Sequence, residues 1–387
     1  TMADYIITSL QKWDIEIGST IKNTALEISK QHRVFYVNTP PNLMQWLRNY
    51  KEISLQKDKS IHSNLRIIYC KHPVLPVNSM PFIWLFKIAN YYNNLCIAHT
   101  IKKAIKQYGI TSPIHIIDTD IYRSRYLKQL IHPDISIYYR RDYIIGINYW
   151  KRYGPECEYA LARQSDIVLT NSSYFTEELQ KYNANIYTVN TGVNLELYDA
   201  AHRWAKPKEL IQILQPIIGY TGVITQNRLD ASLLYEIASR LPQYSFVFVG
   251  PEDTFFSRHP LHSLHNVHFT GHKEVEELPA YIQHFDVCIN PQVMNLITEG
   301  NYPLKIDEYL SMGKPVVATS THTMRDIFAR HVHLATDLAG YLQAIEKAVE
   351  EAGNPYLAKE RIAFAHTHSW ADSVKKIYRA IDKYKTF

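Results

Sequence analysis

A lysine and a glutamate three residues apart, Lys305 and Glu308, stand in a segment whose flanking residues predict a short helix. Pro303 suits the first turn of such a helix because it lacks the N–H that would be unpaired there, and Gly313 suits the position just after its end. The first helix amides, the Lys305 ammonium and the Asn301 side chain would then meet in one positively charged region. The segment therefore predicts a site for an anion such as a diphosphate.

Short β-rich runs alternate with amphipathic stretches along the whole chain. This alternation is typical of parallel sheets covered by helices, so the fold class is predicted to be α/β. The predicted strands span residues 5–9, 34–38, 65–70, 114–118, 135–139, 167–170, 186–189, 217–222, 246–250, 267–270, 287–290 and 315–319. The predicted helices span residues 20–30, 82–107, 158–164, 174–182, 231–240, 275–284, 304–312 and 370–385.

Two domains are expected from the length of 387 residues and from a polar, proline-containing stretch at residues 199–208 that reads as a linker. The first Rossmann-like domain would span residues 1–200 and the second residues 209–369. In the tail, residues 370–387, apolar side chains recur at the i, i+3, i+4, i+7 spacing of a helix with one buried face. This tail is expected to join the first domain.

The composition limits the class of protein. Hydrophobic residues make up 46% of the chain and charged residues 20%, as in water-soluble globular proteins. No window reaches the ~18–20 apolar residues of a membrane helix, and the first residues lack the basic and apolar regions of a secretory signal, so a cytoplasmic protein is expected. The four cysteines lie far apart without a C-x-x-C pair, and neither a disulfide nor a cysteine zinc site is expected.

Positive charge is concentrated in the first 200 residues, with a net charge of about +6 against about −1 in the rest. Basic residues recur there among aromatic ones, which fits peripheral contact with an anionic membrane surface but also the solvated faces of helices over a packed interior. No nucleic-acid-binding module is visible, so nucleic acid is not an expected partner. The basic residues are Lys102, Lys103, Lys106, Arg123, Arg125, Lys128, Arg140, Arg141, Lys151 and Arg152, and the aromatic ones Phe82, Trp84, Phe86, Tyr91 and Tyr92.

The segment from Asn301 to Thr319 contains the pattern P-L-K-x-x-E-Y-L-x-x-G-K-P-V-V-A. This pattern resembles the nucleotide-sugar site of the retaining GT-B glycosyltransferases of the group 1, or GT4-like, family. The resemblance covers about the last 230 residues well and the first 150 loosely. Further segments that resemble family motifs are residues 165–172, the N-T-G-V-N turn at 190–194, the G-Y-T-G strand end at 219–222 and the F-D-V-C-I-N-P strand at 285–291.

The resemblance implies two Rossmann-like domains facing a cleft, with the C-terminal helix crossing back to the first. It implies that Glu308 accepts hydrogen bonds from the ribose of a nucleotide, while Lys305 and the helix amides bind its diphosphate. Arg228 follows Gly222 by six residues, where the family usually carries a lysine that reaches the phosphates. The family's arginine directly after that glycine is replaced by Val223, which shifts phosphate charge onto Lys305.

The remaining predicted donor contacts match the family pattern less closely. The family's E-x7-E pair would place its first acid where Gly300 stands, so Glu299 is either a shifted first acid that contacts the sugar hydroxyls or a solvent-facing loop acid. The loop of Gly271 and His272 occupies the place where backbone amides would recognise uracil or guanine, and the glycine allows close approach. The predicted donor contacts are completed by Asn301 and Leu304.

The first domain is expected to supply the acceptor pocket, because ligands of open α/β sheets gather beyond the carboxyl ends of the strands. Gly18 lies in the loop after the first predicted strand, and Arg140, Arg141 and Asp142 follow another. Relatives carry an acid-containing segment there, so the resemblance implies that Asp142 orients or deprotonates the acceptor hydroxyl, with either arginine contacting phosphate or an anionic acceptor. A structural ion pair within this segment is the alternative.

The implied activity is retaining transfer of a sugar from a UDP-sugar, or a GDP-sugar, to a saccharide or lipid-linked acceptor in surface polysaccharide synthesis, without a cofactor or metal. Asp118 and Asp120 match the D-x-D metal motif of the other large glycosyltransferase architecture, but the triplet is short and lies in the wrong half. A nucleotide-sugar epimerase of the same fold and an inert sugar-nucleotide-binding partner of an assembly complex are the alternatives. A nicotinamide dehydrogenase is not expected, because no G-x-G-x-x-G follows a predicted strand.

Overall fold

The computed structural model describes residues 2–14 and 20–386. The chain forms two compact units, one of Thr1–Asn190 with Ser373–Phe387 and the other of Thr191–Asp372. The segment read as a linker, residues 199–208, lies in the second unit, where the Trp204 backbone N–H donates to the Gln283 side chain at 2.8 Å. Gly18 lies outside the described residues, so its predicted role in the acceptor pocket stays a prediction.

The first unit is built on one sheet, whose described strands are mostly parallel. Its strands are β1 (Asp4–Ser9), β2 (Arg33–Val37), β3 (Lys59–His62), β4 (Leu65–Ile68), β5 (Ile114–Asp118), β6 (Ile135–Arg140), β7 (Ile167–Thr170) and β8 (Ile186–Thr188). Its helices are α1 (Thr20–Ser29), α2 (Leu43–Arg48), α3 (Tyr50–Leu55), α4 (Ile83–Tyr108), α5 (Leu127–Ile131), α6 (Gly154–Gln164) and α7 (Ser173–Leu179).

The strand order of this sheet is β3-β4-β2-β1-β5-β6-β7-β8. All described neighbours pair in parallel except β3 and β4, which form an antiparallel edge. Strands β1, β5 and β6 are buried along their whole length, as expected where helices cover both faces of a parallel sheet. All seven strands predicted in this half are present, whereas β3 and the helices α2, α3 and α5 were not predicted.

The second unit carries a parallel sheet of strand order β11-β10-β9-β12-β13-β14. Its strands are β9 (Ile217–Thr221), β10 (Ser245–Val249), β11 (Val267–Phe269), β12 (Val287–Asn290), β13 (Val316–Thr319) and β14 (His333–Ala335). Its helices are α8 (Ala231–Arg240), α9 (Leu278–Gln283), α10 (Leu296–Glu299), α11 (Leu304–Ser311), α12 (Leu338–Glu351) and α13 (Pro355–His366). The predicted α/β class with two parallel sheets is confirmed.

The last helix, α14 (Trp370–Thr386), begins in the second unit and continues into the first. Its buried stripe packs in the hydrophobic core of the first unit against strand residues such as Tyr5 and Ile7. The i, i+3, i+4, i+7 spacing therefore identified a real contact face, and the predicted return of the tail to the first domain is confirmed. The stripe consists of Val374, Ile377, Ala380 and Ile381.

Candidate functional site

Three glycines lie at the carboxyl edge of the second sheet, just after β9, β10 and β11. Gly222 and Gly250 have φ of +130° and +148°, and a Cβ on Gly250 would lie 1.9 Å from the Gly222 carbonyl oxygen. Gly271 has φ of +74° and open space around it. Only glycine fits the contact between Gly222 and Gly250, because any side chain there would overlap backbone. The result is a bare stretch of backbone at the edge where α/β sheets bind ligands.

Lys305 lies against this bare backbone. Its ammonium donates to the Tyr220 hydroxyl at 2.8 Å and sits 4.4 Å from the centroid of the same ring. A Cβ on Gly222 would be 3.0 Å from the Lys305 Nζ atom, so the glycine makes room for the cation. Within residues 2–14 and 20–386, no carboxylate oxygen lies within 4.0 Å of this ammonium. The cation is therefore held in place by Tyr220 and left without a counter-ion.

Glu308 lies one helical turn beyond Lys305 on α11. Burial raises the pKa of this carboxyl to about 7, although the Lys305 charge and the nearby Tyr198 hydroxyl both act to lower it. Tyr198 is itself buried, and burial together with Glu308 raises the pKa of its hydroxyl. The Glu308 carboxyl, a hydrogen-bond acceptor, thus lies in a poorly solvated environment. A hydroxyl-bearing ligand would bind to it there more strongly than in water.

A buried polar network holds α11 in position. Asp307, fully buried on this helix, accepts from the Tyr302 hydroxyl and has His368 Nδ1 at 2.8 Å. The Tyr309 hydroxyl accepts the Thr221 backbone N–H at 2.8 Å, which ties the helix to the end of β9. These contacts fix the helix start relative to the strand ends, as a preorganised site requires. The contacts of Asp307 with His368 and of Tyr309 with Thr221 were not predicted, because they join residues far apart in the chain.

The raised pKa of Glu308 predicts how the stability of the protein depends on pH. The folded-state pKa, about 7, is above the ordinary value of 4.5, so the unfolded chain loses this proton before the folded protein does, and the parent loses stability as the pH rises from 4.5 to about 7. We expect Glu308→Gln to be about as stable as the parent at pH 4 but more stable at pH 8, by at most about 3 kcal/mol, reduced to the extent that water reaches the carboxylate.

The measurement is thermal unfolding of both proteins at pH 4 and pH 8. Glu346→Gln, which changes an exposed glutamate on α12, is the matched control and should leave the difference between the two pH values unaltered. An equal shift of the Glu308→Gln melting temperature at both pH values would contradict the assignment.

The other predicted donor residues lie around the same sheet edge. Arg228 is exposed in the loop after β9, and within the described parts of the chain it has no ion-pair partner. The Glu299 carboxylate accepts the His322 backbone N–H at 2.9 Å and lies 3.1 Å from Arg325. It thus stabilises the turn after β13. His272 is exposed, 3.3 Å from Glu274.

Two predicted donor residues lie at the start of α11. Asn301 is buried, and its backbone N–H donates to the Thr298 carbonyl at 3.4 Å. Leu304 is half-buried and packs on the hydrophobic core. Their roles, and those of Arg228, Glu299, Gly271 and His272, stay predictions.

In the first unit, two of the predicted cations are engaged with acids. Arg141 pairs with Asp118, which also accepts from the Ser9 hydroxyl at 2.6 Å. Arg140 is fully buried, with Glu158 at 3.3 Å and Glu178 at 2.9 Å. Both arginines thus form ion pairs, as the structural alternative held, but with partners outside the segment. A role in contacting an anionic ligand stays a prediction for each.

Asp142 is half-buried directly beside Arg141, and its charge helps to raise the pKa of that guanidinium, secondary to Asp118. The two acids of the D-x-D triplet are separately paired, Asp118 with Arg141 and Asp120 with Arg123 at 3.0 Å. Over the described ranges, no group of three metal-binding side chains is present. The role of Asp142 toward the acceptor hydroxyl is not tested by these contacts and stays a prediction.

The part of the second unit that contains this site matches a known family. Residues 215–351 match the model of the glycosyl transferases of group 1. The chain is also 29% identical over 237 residues to Bacillus subtilis TuaH, named as a teichuronic acid biosynthesis glycosyltransferase. That match covers 59% of the chain and 58% of TuaH, so the chain spans less than two thirds of its relative's length.

Solved structures show that the chain has the GT-B fold. Anabaena HepE in complex with UDP superposes with a TM-score of 0.68 at 12% identity, over 99% of this chain and 100% of HepE. Sucrose-phosphate synthase of Thermosynechococcus elongatus gives a TM-score of 0.70 at 14% identity, over 99% of each chain. At such low identity the likeness concerns the fold alone, and it extends over the part of the chain outside residues 215–351 as well.

Proposed function

We propose that the chain is a retaining glycosyltransferase that moves a sugar from a nucleoside diphosphate donor, UDP-sugar in preference to GDP-sugar, to a saccharide or lipid-linked acceptor in surface polysaccharide synthesis. The observation that carries the proposal is the placement of Lys305 against Gly222, with no carboxylate oxygen within 4.0 Å of its ammonium among the described residues and with Glu308 one turn further along α11. A cation beside helix amides suits a diphosphate, and a poorly solvated carboxylate suits a ribose diol.

The chemistry asked of this site is electrostatic. As the bond between the sugar C1 and the diphosphate breaks, its electron pair passes to the phosphate oxygen, where the α11 amides and the Lys305 ammonium stabilise the charge. The acceptor oxygen bonds C1 on the same face, and its proton passes to the departing phosphate oxygen. No protein nucleophile is needed. Asp142 is proposed to orient the acceptor hydroxyl, and no metal or cofactor takes part.

The preference for UDP rests on relatives. HepE has been solved with UDP and with UDP-glucose, and the latter complex superposes on this chain with a TM-score of 0.67. In our proposal the backbone around Gly271 reads the base, since its open surroundings and φ of +74° leave room for close approach. The link to a cell-surface polymer rests on the relative named for teichuronic acid biosynthesis.

The test combines binding and turnover. UDP should raise the melting temperature of the protein more than GDP does, and Glu308→Gln should reduce the stabilisation by both nucleotides, which share the ribose, while Glu346→Gln keeps it. With a UDP-sugar and candidate acceptors, transfer with an unchanged anomeric configuration should appear by NMR. Release of free epimerised sugar without an acceptor would instead identify an epimerase, and binding without turnover an inert partner.

The proposal includes peripheral contact with an anionic membrane, through the outer face of α4. This face is apolar where a surface helix is usually polar, with Trp84 58% and Ile88 62% exposed. Residues 83–108 contain no Asp or Glu, and exposed lysines continue the face toward the end of the helix. Among the described residues, no helix is both long and apolar enough to cross a bilayer. Tyr91, Tyr92 and Leu95 extend the apolar part, and Lys102, Lys103 and Lys106 form the basic part.

This surface is smaller than the basic and aromatic set first noted in the sequence, because Phe86 is buried and Arg123, Arg140 and Arg141 are ion-paired. We expect Trp84→Ser with Ile88→Ser to weaken binding to vesicles of anionic phospholipid at least about tenfold, since two large apolar side chains would lose their burial. Co-sedimentation measures this.

Leu214→Ser, at an 80% exposed leucine of the second unit, is the matched control for that experiment. Equal loss in the control, or equal binding to neutral and anionic vesicles, would contradict contact through α4.

A further inference from the structure

The first unit contains a cavity of about 440 Å³ that is separate from the donor site and shares only Lys103 with the proposed membrane surface of α4. It lies between strand β4, next to the sheet edge, and the C-terminal half of α4, with Arg66 on the strand side and Lys103 on the helix side. Ile68 and Ala104, both buried, provide apolar lining. A volume of this size is within the ~300–1,000 Å³ range of small-molecule sites.

The lining is strongly basic. Four Lys and Arg side chains border the cavity against a single acid, Asp58. That acid is already engaged, because its carboxylate accepts the Tyr69 backbone N–H at 3.2 Å and the Tyr108 hydroxyl at 2.7 Å. Hydrogen bonds from these uncharged donors do not change the charge balance, so the lining has four cations against one acid. The four cations are Lys57, Arg66, Lys71 and Lys103.

Three of these cations, Lys57, Arg66 and Lys103, have no carboxylate oxygen within 4.0 Å among residues 2–14 and 20–386. Lys71 donates instead to the backbone carbonyl of Ser54 at 2.7 Å. Unpaired cations that share a concave surface raise the local concentration of anions more than the same charges on an open face.

Arg66 is positioned in advance. Its guanidinium lies 4.6 Å from the centroid of the Tyr108 ring, and that ring stacks on Phe35 at 5.7 Å. The Tyr108 hydroxyl is fixed in turn by Asp58 and by the Gln107 amide at 2.8 Å. A planar guanidinium held over an aromatic ring loses little freedom when it binds an oxyanion in bidentate fashion.

We propose that this cavity is a binding site for a sugar-sized ligand carrying a phosphate or a carboxylate. Arg66 and Lys103 contact its anionic group from opposite walls, and Ile68, Ala104 and Tyr108 cover its less polar face. The residues involved belong to β4, α4 and their flanking segments, whereas the proposed donor site is built from α11 and the strand ends of the second unit. The inference therefore does not depend on the transfer reaction.

Calorimetric titration of the full chain tests this proposal, with pyrophosphate and glucuronate as anionic probes and glucose as the neutral one. Saturating UDP is present so that the donor site does not contribute. We expect both anions, and not glucose, to bind, and Lys103→Met and Arg66→Met each to weaken binding about tenfold or more, as expected when a charge-assisted hydrogen bond is lost.

Lys59→Met, at an exposed lysine of β3 that does not line the cavity, is the matched control and should bind as the parent does. Lys103 is exposed on α4, so its variant should fold even if Arg66→Met does not. No binding of either anion at about 10 mM, or equal loss in Lys59→Met and Lys103→Met, would overturn the proposal.

Two sources could supply the anion, a soluble saccharide or a lipid headgroup. Displacement of bound glucuronate by vesicles containing phosphatidic acid, but not by neutral vesicles, would indicate the headgroup. Retention of glucuronate in both would indicate the saccharide. UDP-induced stabilisation should be the same in Lys103→Met and the parent, so a failure here is distinguishable from a failure of the proposed donor site.

Discussion

Lys305→Met should lower kcat about 10²- to 10³-fold, while the affinity for the donor falls by much less. Lys305 is expected to contribute most when charge develops on the departing phosphate, because its ammonium is held at the strand end by Tyr220 and has no counter-ion among the described residues. The substitution keeps the length of the side chain and removes the charge, so Gly222 still has a neighbour of similar bulk.

Steady-state kinetics with a UDP-sugar and a competent acceptor would measure this effect, with Lys347→Met, at an exposed lysine of α12, as the control. The melting temperature of Lys305→Met should stay near that of the parent, since the lost hydrogen bond to Tyr220 is a single partly exposed one. A rise in KM with unchanged kcat would show that Lys305 binds donor and transition state equally, contrary to the mechanism proposed.

Gly250→Ala should destabilise the second unit by about 3 kcal/mol or more. The residue has φ of +148°, and a Cβ there would lie 1.9 Å from the Gly222 carbonyl oxygen, so the methyl group could be accommodated only by separating the ends of β9 and β10. Because Lys305 rests on Gly222, donor binding should fall together with stability.

Gly353→Ala is the control that separates the cost of backbone strain from the cost of a steric clash. Gly353 also has positive φ, +78°, but nothing lies within 4 Å of the Cβ position, so its substitution should cost only about 1 kcal/mol and leave UDP binding intact. Thermal unfolding with and without UDP measures both variants. Similar losses in Gly250→Ala and Gly353→Ala would mean that the strand ends are not closely packed.

Much of the fold could be predicted from local patterns. The apolar runs of the parallel strands, the Pro303 and Gly313 boundaries of α11 and the stripe of α14 all correspond to elements of the structure. Helix α12 was not predicted, although the sequence contains a start signal for it, because Asp337 caps the helix by accepting the Gly340 N–H. Strand β3 could not be predicted from the sequence, because most of its side chains are exposed and no apolar alternation marks it.

The site could be predicted from the sequence only where the spacing of two residues along one helix determines that their side chains lie close together. Lys305 and Glu308 are three residues apart, so helical geometry alone places them on one side. The contact of Gly222 with Gly250 and the approach of Tyr198 to Glu308 join distant segments, which no local pattern encodes. For the same reason the burial of Arg140 could not be foreseen, since its acidic partners come from α6 and α7.

The assignment of the donor site to the start of α11 is decided by a crystal structure with a bound UDP-sugar. We expect the diphosphate within hydrogen-bond distance of the first α11 amides and the Lys305 ammonium, with the ribose hydroxyls donating to Glu308. A diphosphate bound away from α11, or a ribose out of reach of Glu308, would contradict it.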